Sequence, residues 1–260
     1  MAPARREPLP EVRVVQDAAA GAELALAELR RFVESHAPGV VSFATGSTFE
    51  PMLRQLALEL TSGRLPSFVA THLDEYLGFA ADTPGGMLHE LESRCPPLSA
   101  MRRRGALLPV PSVGDAPSLQ AHTAALQRQG GIGLQFLGIG RNGHLAFVEP
   151  GTPFELGFHL AALAASTRED ARARFHPDEP PTHGVTAGIA TILAAARIVL
   201  CAYGAQKAGA CRAMLAGEPG PQCPASAIRQ HGNALVLLDA AAAAALPPWC
   251  IDPAGRGGRR

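Results

Sequence analysis

Residues 133–150 read GLQFLGIGRNGHLAFVEP. The run Gly133–Leu137 is short and largely apolar, as expected of a strand covered on both faces. Three glycines, Gly138, Gly140 and Gly143, then hold a tight loop with its backbone exposed. Asn142, His144 and Glu149 follow within eight positions. An imidazole titrates near neutral pH and can carry protons both ways. A nearby carboxylate can orient it and stabilise its protonated form, and an amide can fix its tautomer. The Gly-x-Gly-x-x-Gly spacing also imitates a dinucleotide fingerprint. It lies mid-chain, however, runs into an irregular segment, and has Pro150 where that fingerprint needs a helix.

Outward from this stretch, short apolar runs alternate with Ala-rich helical patterns. The predicted strands are Val12–Val15, Val40–Ala44, Phe68–Leu73, Gly133–Leu137, Ile198–Ala202 and Ala234–Leu238. The predicted helices include Ala18–Ser35, Phe49–Thr61, Ser118–Gln129, Thr186–Ala195 and Gln206–Leu215, with Ala240–Ala245 as an end helix. Alternating β and α segments predict an α/β fold with a mostly parallel, doubly wound sheet and helices on both faces. One such domain is expected over residues 11–246, with residues 1–10 and 247–260 as loose tails, apart from Trp249, which could dock. Two stretches break the alternation. Leu77–Ser112 carries several Pro and Gly residues and one short helix around Met87–Arg94. Pro150–Gly184 reads as irregular and holds Arg168, Arg172 and Arg174. Both begin shortly after strand ends that carry polar residues. In open α/β sheets ligands bind beyond the carboxyl ends of the strands, so the active site is expected there.

Composition narrows the partners. The 260 residues include 23 basic and 23 acidic side chains, so nothing in the net charge favours nucleic acid or an anionic membrane. Hydrophobic residues make up 47% of the chain, which excludes wholesale disorder. No apolar stretch reaches the length of a membrane span, and the amino terminus lacks the apolar core of a signal peptide. The cysteines Cys95, Cys201, Cys211, Cys223 and Cys250 are odd in number and scattered, which fits neither a disulfide framework nor a zinc site. A soluble, reducing, cytoplasmic setting is expected.

Three further motifs bear on chemistry. Ala44-Thr45-Gly46-Ser47-Thr48 lies between a strand and a helix. Gly46 lets the backbone approach a ligand, while Ser47 and Thr48 set hydroxyls beside the free N–H groups of the helix start, an arrangement that suits phosphate or a plain helix cap. Asp74-Glu75-Tyr76 directly follows the run SFVATHL, a position that suits an acidic helix cap or a loop turn as well as a reactive pair. Adjacent carboxylates there can differ in environment, one acting as a base while the other is structural. Gly204-Ala205-Gln206-Lys207 again joins a strand to a helix, and Lys207 is the sole lysine in the chain. Arg174 is the matching guanidinium from the irregular stretch, able to grip phosphate with paired donors.

Taken together, the ATGST turn, the DEY strand end, the GIG-x-N-GH-x-x-F-x-EP loop and the late G-x-x-K resemble the glucosamine-6-phosphate deaminase/isomerase family, in the family's order and over roughly residues 11–240. The related 6-phosphogluconolactonases share the fold and the Gly-His loop. They normally have Asp-Glu-Arg where this chain has Asp74-Glu75-Tyr76, and lack the continuation seen in Phe147–Pro150. The resemblance implies a cofactor-free reaction on a small-molecule sugar phosphate, in a monomer or a homo-oligomer. His144 would take and return the proton of the ring oxygen, with Asn142 and Glu149 holding the imidazole. Asp74 would move a proton between C2 and C1, and water would release ammonia to leave fructose 6-phosphate. Gly46, Ser47, Thr48, Arg174 and Lys207 would hold the phosphate. The chain departs from the family pattern at Val148, at Gly85-Gly86-Met87 and at Arg172. The alternatives are a lactonase of the same fold, opposed by Tyr76 and Glu149, and a non-catalytic sensor, opposed by Asp74 and His144.

Overall fold

The structure is a computed structural model that describes residues 10–251. In chain order it runs β1 (Glu11–Val15), α1 (Ala18–Glu34), β2 (Val40–Phe43), α2 (Glu50–Thr61), β3 (Ala70–His72), β4 (Asp74–Tyr76), α3 (Met87–Arg94), α4 (Pro97–Arg103), β5 (Leu107–Leu108), α5 (Ala116–Arg128) and β6 (Ile132–Leu137). It continues with β7 (His159–Ala162), α6 (Ala165–Phe175), β8 (His183–Thr186), α7 (Ile189–Leu193), β9 (Arg197–Ala202), α8 (Ala208–Ala216), β10 (Ala234–Asp239) and α9 (Ala240–Ala243). Helix starts follow local chemistry. The Asp17 carboxylate accepts from Ala20 N at 2.9 Å to cap α1, and Asp115 accepts from Ser118 N at 2.8 Å to cap α5.

Seven strands form one sheet in the order β1-β10-β9-β6-β2-β3-β5, and every pairing in it is parallel. This is the α/β fold that the alternating pattern predicts. β2 and β6 are buried along their whole length, as strands covered on both faces must be. Phe43 of β2 stacks on Phe136 of β6 at 5.8 Å, and Phe49 meets Phe136 edge-on at 6.1 Å. From β2 the chain builds outward through β3 to β5. It then returns to the other side of β2 with β6 and builds toward β1. The strand order therefore reverses between β2 and β6, and a crevice opens beyond their carboxyl ends.

Several sequence expectations need correction. Asp74–Tyr76 is not the end of the preceding strand but a separate one. It belongs to a three-stranded antiparallel sheet, β4-β8-β7, that the sequence pattern does not reveal. Thr186 ends β8, so the helix expected at Thr186–Ala195 shrinks to α7; Gly188 is extended, and a Cβ there would meet Leu156 O at 2.2 Å. The stretch Pro150–Gly184 is not irregular, since it contains β7, α6 and the start of β8. Leu77–Ser112 holds α4 and β5 besides the expected α3. At the carboxyl end, Pro248–Cys250 forms a 3-10 turn with Cys250 buried and Trp249 against the core, so this part is not a loose tail. Residues 1–9 and 252–260 of the expected tails lie outside the described residues.

Phe136 sits at the centre of the sheet and its ring contacts join β2, the turn that leads into α2, and β6. Phe136→Ala is expected to lower stability by about 3–5 kcal/mol, read from the midpoint of urea unfolding. A loss below about 1 kcal/mol would show that the core is organised elsewhere.

Candidate active site

The crevice is a cleft of about 240 Å³. Its floor comes from turns after three adjacent strands: Ala44–Thr48 after β2, Gly138–Gly140 after β6, and Lys207 after β9. Asp74, Tyr76 and Met87 line one side, and Thr167, Asp170, Ala171 and Arg174 line another. Seven of the nine candidate site residues meet here: Gly46, Ser47, Thr48, Asp74, His144, Arg174 and Lys207. Asn142 and Glu149 do not line the cleft; they stand behind His144.

Gly46 has φ +94° and ψ 170°, a backbone region open only to glycine. It turns β2 into a 3-10 turn, Ser47–Phe49, that leads into α2. The same turn recurs after β9, where Gly204 has φ +89° and leads through Ala205–Lys207 into α8. The Gly204 N–H is held by the Asp239 carboxylate at 2.9 and 3.0 Å. Lys207 Nζ donates to Ile139 O at 2.7 Å, which places the ammonium against the glycine loop. Burial lowers its pKa from the ordinary lysine value, so an anion arriving in the cleft would favour its charged form.

The two adjacent carboxylates are treated differently. Glu75 accepts from three backbone N–H groups: Tyr76 at 2.8 Å, Met87 at 2.9 Å and Leu88 at 2.9 Å. It thereby caps α3 with a negative charge at its amino end. Burial pushes its pKa up, opposed by those three donors. Asp74 is also buried, yet no hydrogen bond among the described residues reaches its carboxylate. Burial first, and the charge of Glu75 second, raise it from 3.8 to about 7, against the pull of Arg174. His72 supports its backbone: Nδ1–H donates to Asp74 O at 2.9 Å while Nε2 accepts from Val110 N at 2.9 Å. That pattern fixes His72 as a neutral structural residue, its pKa lowered by burial to about 3.

His144 lies flat on the loop backbone. A Cβ on Gly140 would fall 2.3 Å from the imidazole, so Gly140 is required for close approach. Asn142 Oδ1 accepts from His144 N at 3.1 Å, and Asn142 Nδ2 donates to Glu149 Oε2 at 3.0 Å. His144 Nδ1 is 3.6 Å from Glu149 Oε2 and 3.2 Å from Thr167 Oγ1. Burial works against the Glu149 charge, but His144, Thr167 and Asn142 together hold its pKa down to about 2.

Arg174 donates to the Tyr76 hydroxyl at 3.0 Å and lies 5.8 Å from the Tyr76 ring centroid. Phe175 beside it packs on Tyr76 and Phe79, filling the space that a Cβ on Gly85 would enter at 2.8 Å. The departure at Gly85 thus makes room for the Phe175 ring. Val148 is buried in the core, where an apolar side chain fits, and Arg172 pairs with Glu169 and Glu179 on the exposed side of α6.

Thr167 and Asp170 are not among the sequence candidates, because the stretch that forms α6 reads as irregular in sequence. A signal did exist: Thr167, Asp170, Ala171 and Arg174 are spaced as one face of a helix. Among the described residues, no group of three or more His, Cys, Asp or Glu side chains could hold a metal ion, and no helix is long and apolar enough to cross a membrane.

The parallel sheet reverses its strand order at β2 and β6 and carries the Gly-His loop at that reversal, and comparison with known proteins assigns the chain to a family with these elements. It belongs to the family of glucosamine-6-phosphate isomerases and 6-phosphogluconolactonases, whose model matches residues 102–237. The chain is 34% identical to a glucosamine-6-phosphate deaminase of Exiguobacterium sibiricum over 95% of each chain. It is also 34% identical to one of Streptomyces coelicolor over 91% of this chain and 92% of that one. Among solved structures, a monomeric glucosamine-6-phosphate deaminase superposes with a TM-score of 0.81 at 30% identity, covering 90% of this chain and 99% of that one. A 6-phosphogluconolactonase from Trypanosoma brucei shares the fold, with a TM-score of 0.69 at 18% identity over 92% and 99% of the two chains.

The environment of Asp74 has a measurable consequence for stability. Its folded pKa is raised, so between about pH 4 and 7 the folded state keeps a proton that the unfolded chain releases. Stability from this group therefore falls as pH rises through that window and is lowest above it. Asp74→Asn carries no charge and escapes the loss. The variant is expected to exceed the wild type by roughly 1–4 kcal/mol at pH 8, with the gap closing toward pH 4. A gap independent of pH would show that Asp74 is ionised throughout.

Proposed function

We propose that this protein is a cytoplasmic glucosamine-6-phosphate deaminase that converts its substrate and water into fructose 6-phosphate and ammonia. One α/β unit over residues 11–246 carries the whole reaction. Gly46, Ser47 and Thr48 meet the phosphate with the N–H groups and hydroxyls of the turn after β2, while Arg174 and Lys207 supply positive charge. This anchorage sets the reacting carbons over Asp74 and His144.

Nε2 of His144 faces the sugar and handles ring opening. It takes the proton of the anomeric hydroxyl and delivers one to the ring oxygen as the C1–O5 bond breaks. Asn142 and Glu149 hold the imidazole for this work. Asp74, as carboxylate, then takes the C2 proton of the open chain. The electron pair forms a C1–C2 double bond as the C1=O π bond breaks, its oxygen taking a proton released by the amino group. The same C2 proton then returns at C1 as the nitrogen lone pair closes a C2=N bond. C2 becomes an iminium carbon, water adds there, and ammonia departs. A group that titrates near neutrality suits Asp74, since it must accept and donate in one turnover.

The observation that carries this reading is the contrast between Asp74 and Glu75. One buried carboxylate is bound by three N–H groups, while the other faces the cleft unbound and titrates at about 7. Binding a sugar phosphate alone requires no such group. The 34% identity to named deaminases over nearly the whole chain supports the same substrate.

Incubation with glucosamine 6-phosphate is expected to release ammonia and fructose 6-phosphate in equal amounts, with activity retained after EDTA treatment and dialysis. No ammonia, together with hydrolysis of 6-phosphogluconolactone, would assign the chain to lactone chemistry instead. Lys207→Ala is expected to raise KM for the sugar phosphate by about 10- to 100-fold while changing kcat much less, since the ammonium contacts phosphate in ground and transition states alike. A fall in kcat at unchanged KM would place Lys207 in the chemical steps.

A further inference from the structure

The carboxylate of Glu149 does not bond directly to His144. Its nearer oxygen is 3.6 Å from Nδ1, beyond hydrogen-bond distance, and is already taken by Asn142 Nδ2 at 3.0 Å. Between the two groups stands Thr167 Oγ1, 2.5 Å from Glu149 Oε1 and 3.2 Å from His144 Nδ1. A hydroxyl has one proton to give. An ionised carboxylate can only accept, so that proton points at Glu149. The oxygen then offers a lone pair to Nδ1, which must carry hydrogen to meet it. In neutral His144 the proton is thereby fixed on Nδ1, and Nε2 is left as the base.

We propose that Thr167 is the positioning residue that sets the tautomer of His144, relaying the Glu149 charge to the imidazole through Nδ1–H···Oγ1–H···Oε1. The role this gives His144 rests on the functional reading above, while the hydrogen-bond chain itself does not. The relay depends on how α6 is seated. The first residues of this helix converge on the same pair of side chains: Ala164 N donates to Glu149 Oε1 at 3.2 Å, and Ser166 Oγ lies 3.3 Å from Asn142 Nδ2. Glu149 thus receives the amino end of α6, where a negative charge is favoured. Two turns on, the same face of α6 presents Arg174 to the cleft. The group proposed to hold phosphate and the group that prepares the base are therefore carried on one rigid element, although they are distant from each other.

Removing the hydroxyl while keeping the shape tests the relay. In Thr167→Val, the ¹⁵N resonances of His144, assigned by their loss in His144→Gln, are expected to shift from a single Nδ1–H tautomer in the wild type toward a mixture with Nε2–H. With glucosamine 6-phosphate, kcat is expected to fall about 10- to 100-fold, the value of a hydrogen bond to a charged partner, with KM changed less than about twofold. Thr167→Ser restores the hydroxyl and is expected to recover most of the rate and the wild-type tautomer. An unchanged tautomer in Thr167→Val, or a wild-type kcat in it, would overturn the relay. A wild-type protein that releases no ammonia would instead remove the functional reading, and the NMR comparison would still decide whether Thr167 sets the tautomer.

Discussion

Three backbone N–H groups converge on the buried carboxylate of Glu75, and the working side of the molecule is assembled around that anchorage. A buried charge of this kind is tolerable only when its oxygens are bonded. Satisfying Glu75 ties β4 to the amino end of α3 and brings Met87 to the cleft. It also fixes the direction of β4, so the preceding residue, Asp74, must point into the cleft, where none of the described residues donates to its carboxylate. The negative charge held on Glu75 then helps to keep Asp74 protonated to about neutral pH. One residue is structural so that its neighbour can be reactive.

His144 follows the complementary principle. Where the Asp74 carboxylate has no hydrogen bond among the described residues, His144 is surrounded by contacts: its N–H is held by Asn142, its ring rests on Gly140, and its Nδ1 edge meets Thr167. The imidazole is held in one orientation, whereas the carboxyl is tuned by desolvation. The two groups reach the same cleft from different sheets, His144 from the loop after β6 and Asp74 from the small antiparallel sheet. Helix α6 closes the arrangement, since its inward face contacts both the support of His144 and, through Arg174, the ring of Tyr76 beside Asp74.

The large sheet was legible because its strands are buried on both faces and therefore read as short apolar runs. β2, β6, β9 and β10 are found where those runs lie. The glycine loop was legible because close approach at Gly140 and the turn at Gly46 demand a residue without a side chain. The small sheet was not, because β4 is just Asp-Glu-Tyr: its burial is imposed by α3, β8 and Arg174, contacts from distant parts of the chain. Helix α6 escaped for a related reason. Its sequence, ASTREDARARF, buries only Thr167 and Ala171, too little to generate an apolar stripe. Its place is fixed by polar groups meeting Glu149 and Asn142, so Thr167 could be recognised only once the helix was in position.

The central claim is that Asp74 moves the C2 proton while His144 opens the ring, and hydrogen exchange separates the two. Glucosamine 6-phosphate in D₂O is followed by NMR, which reads the two anomers and the C2 position together, with wild type and Asp74→Asn compared. With Asp74→Asn, enzyme-catalysed anomer interconversion should continue, while exchange at C2 should fall by about 10²–10⁴-fold, the loss expected for a positioned acid–base group. Wild-type exchange at C2 in Asp74→Asn would contradict the account and assign the base to another residue of the cleft.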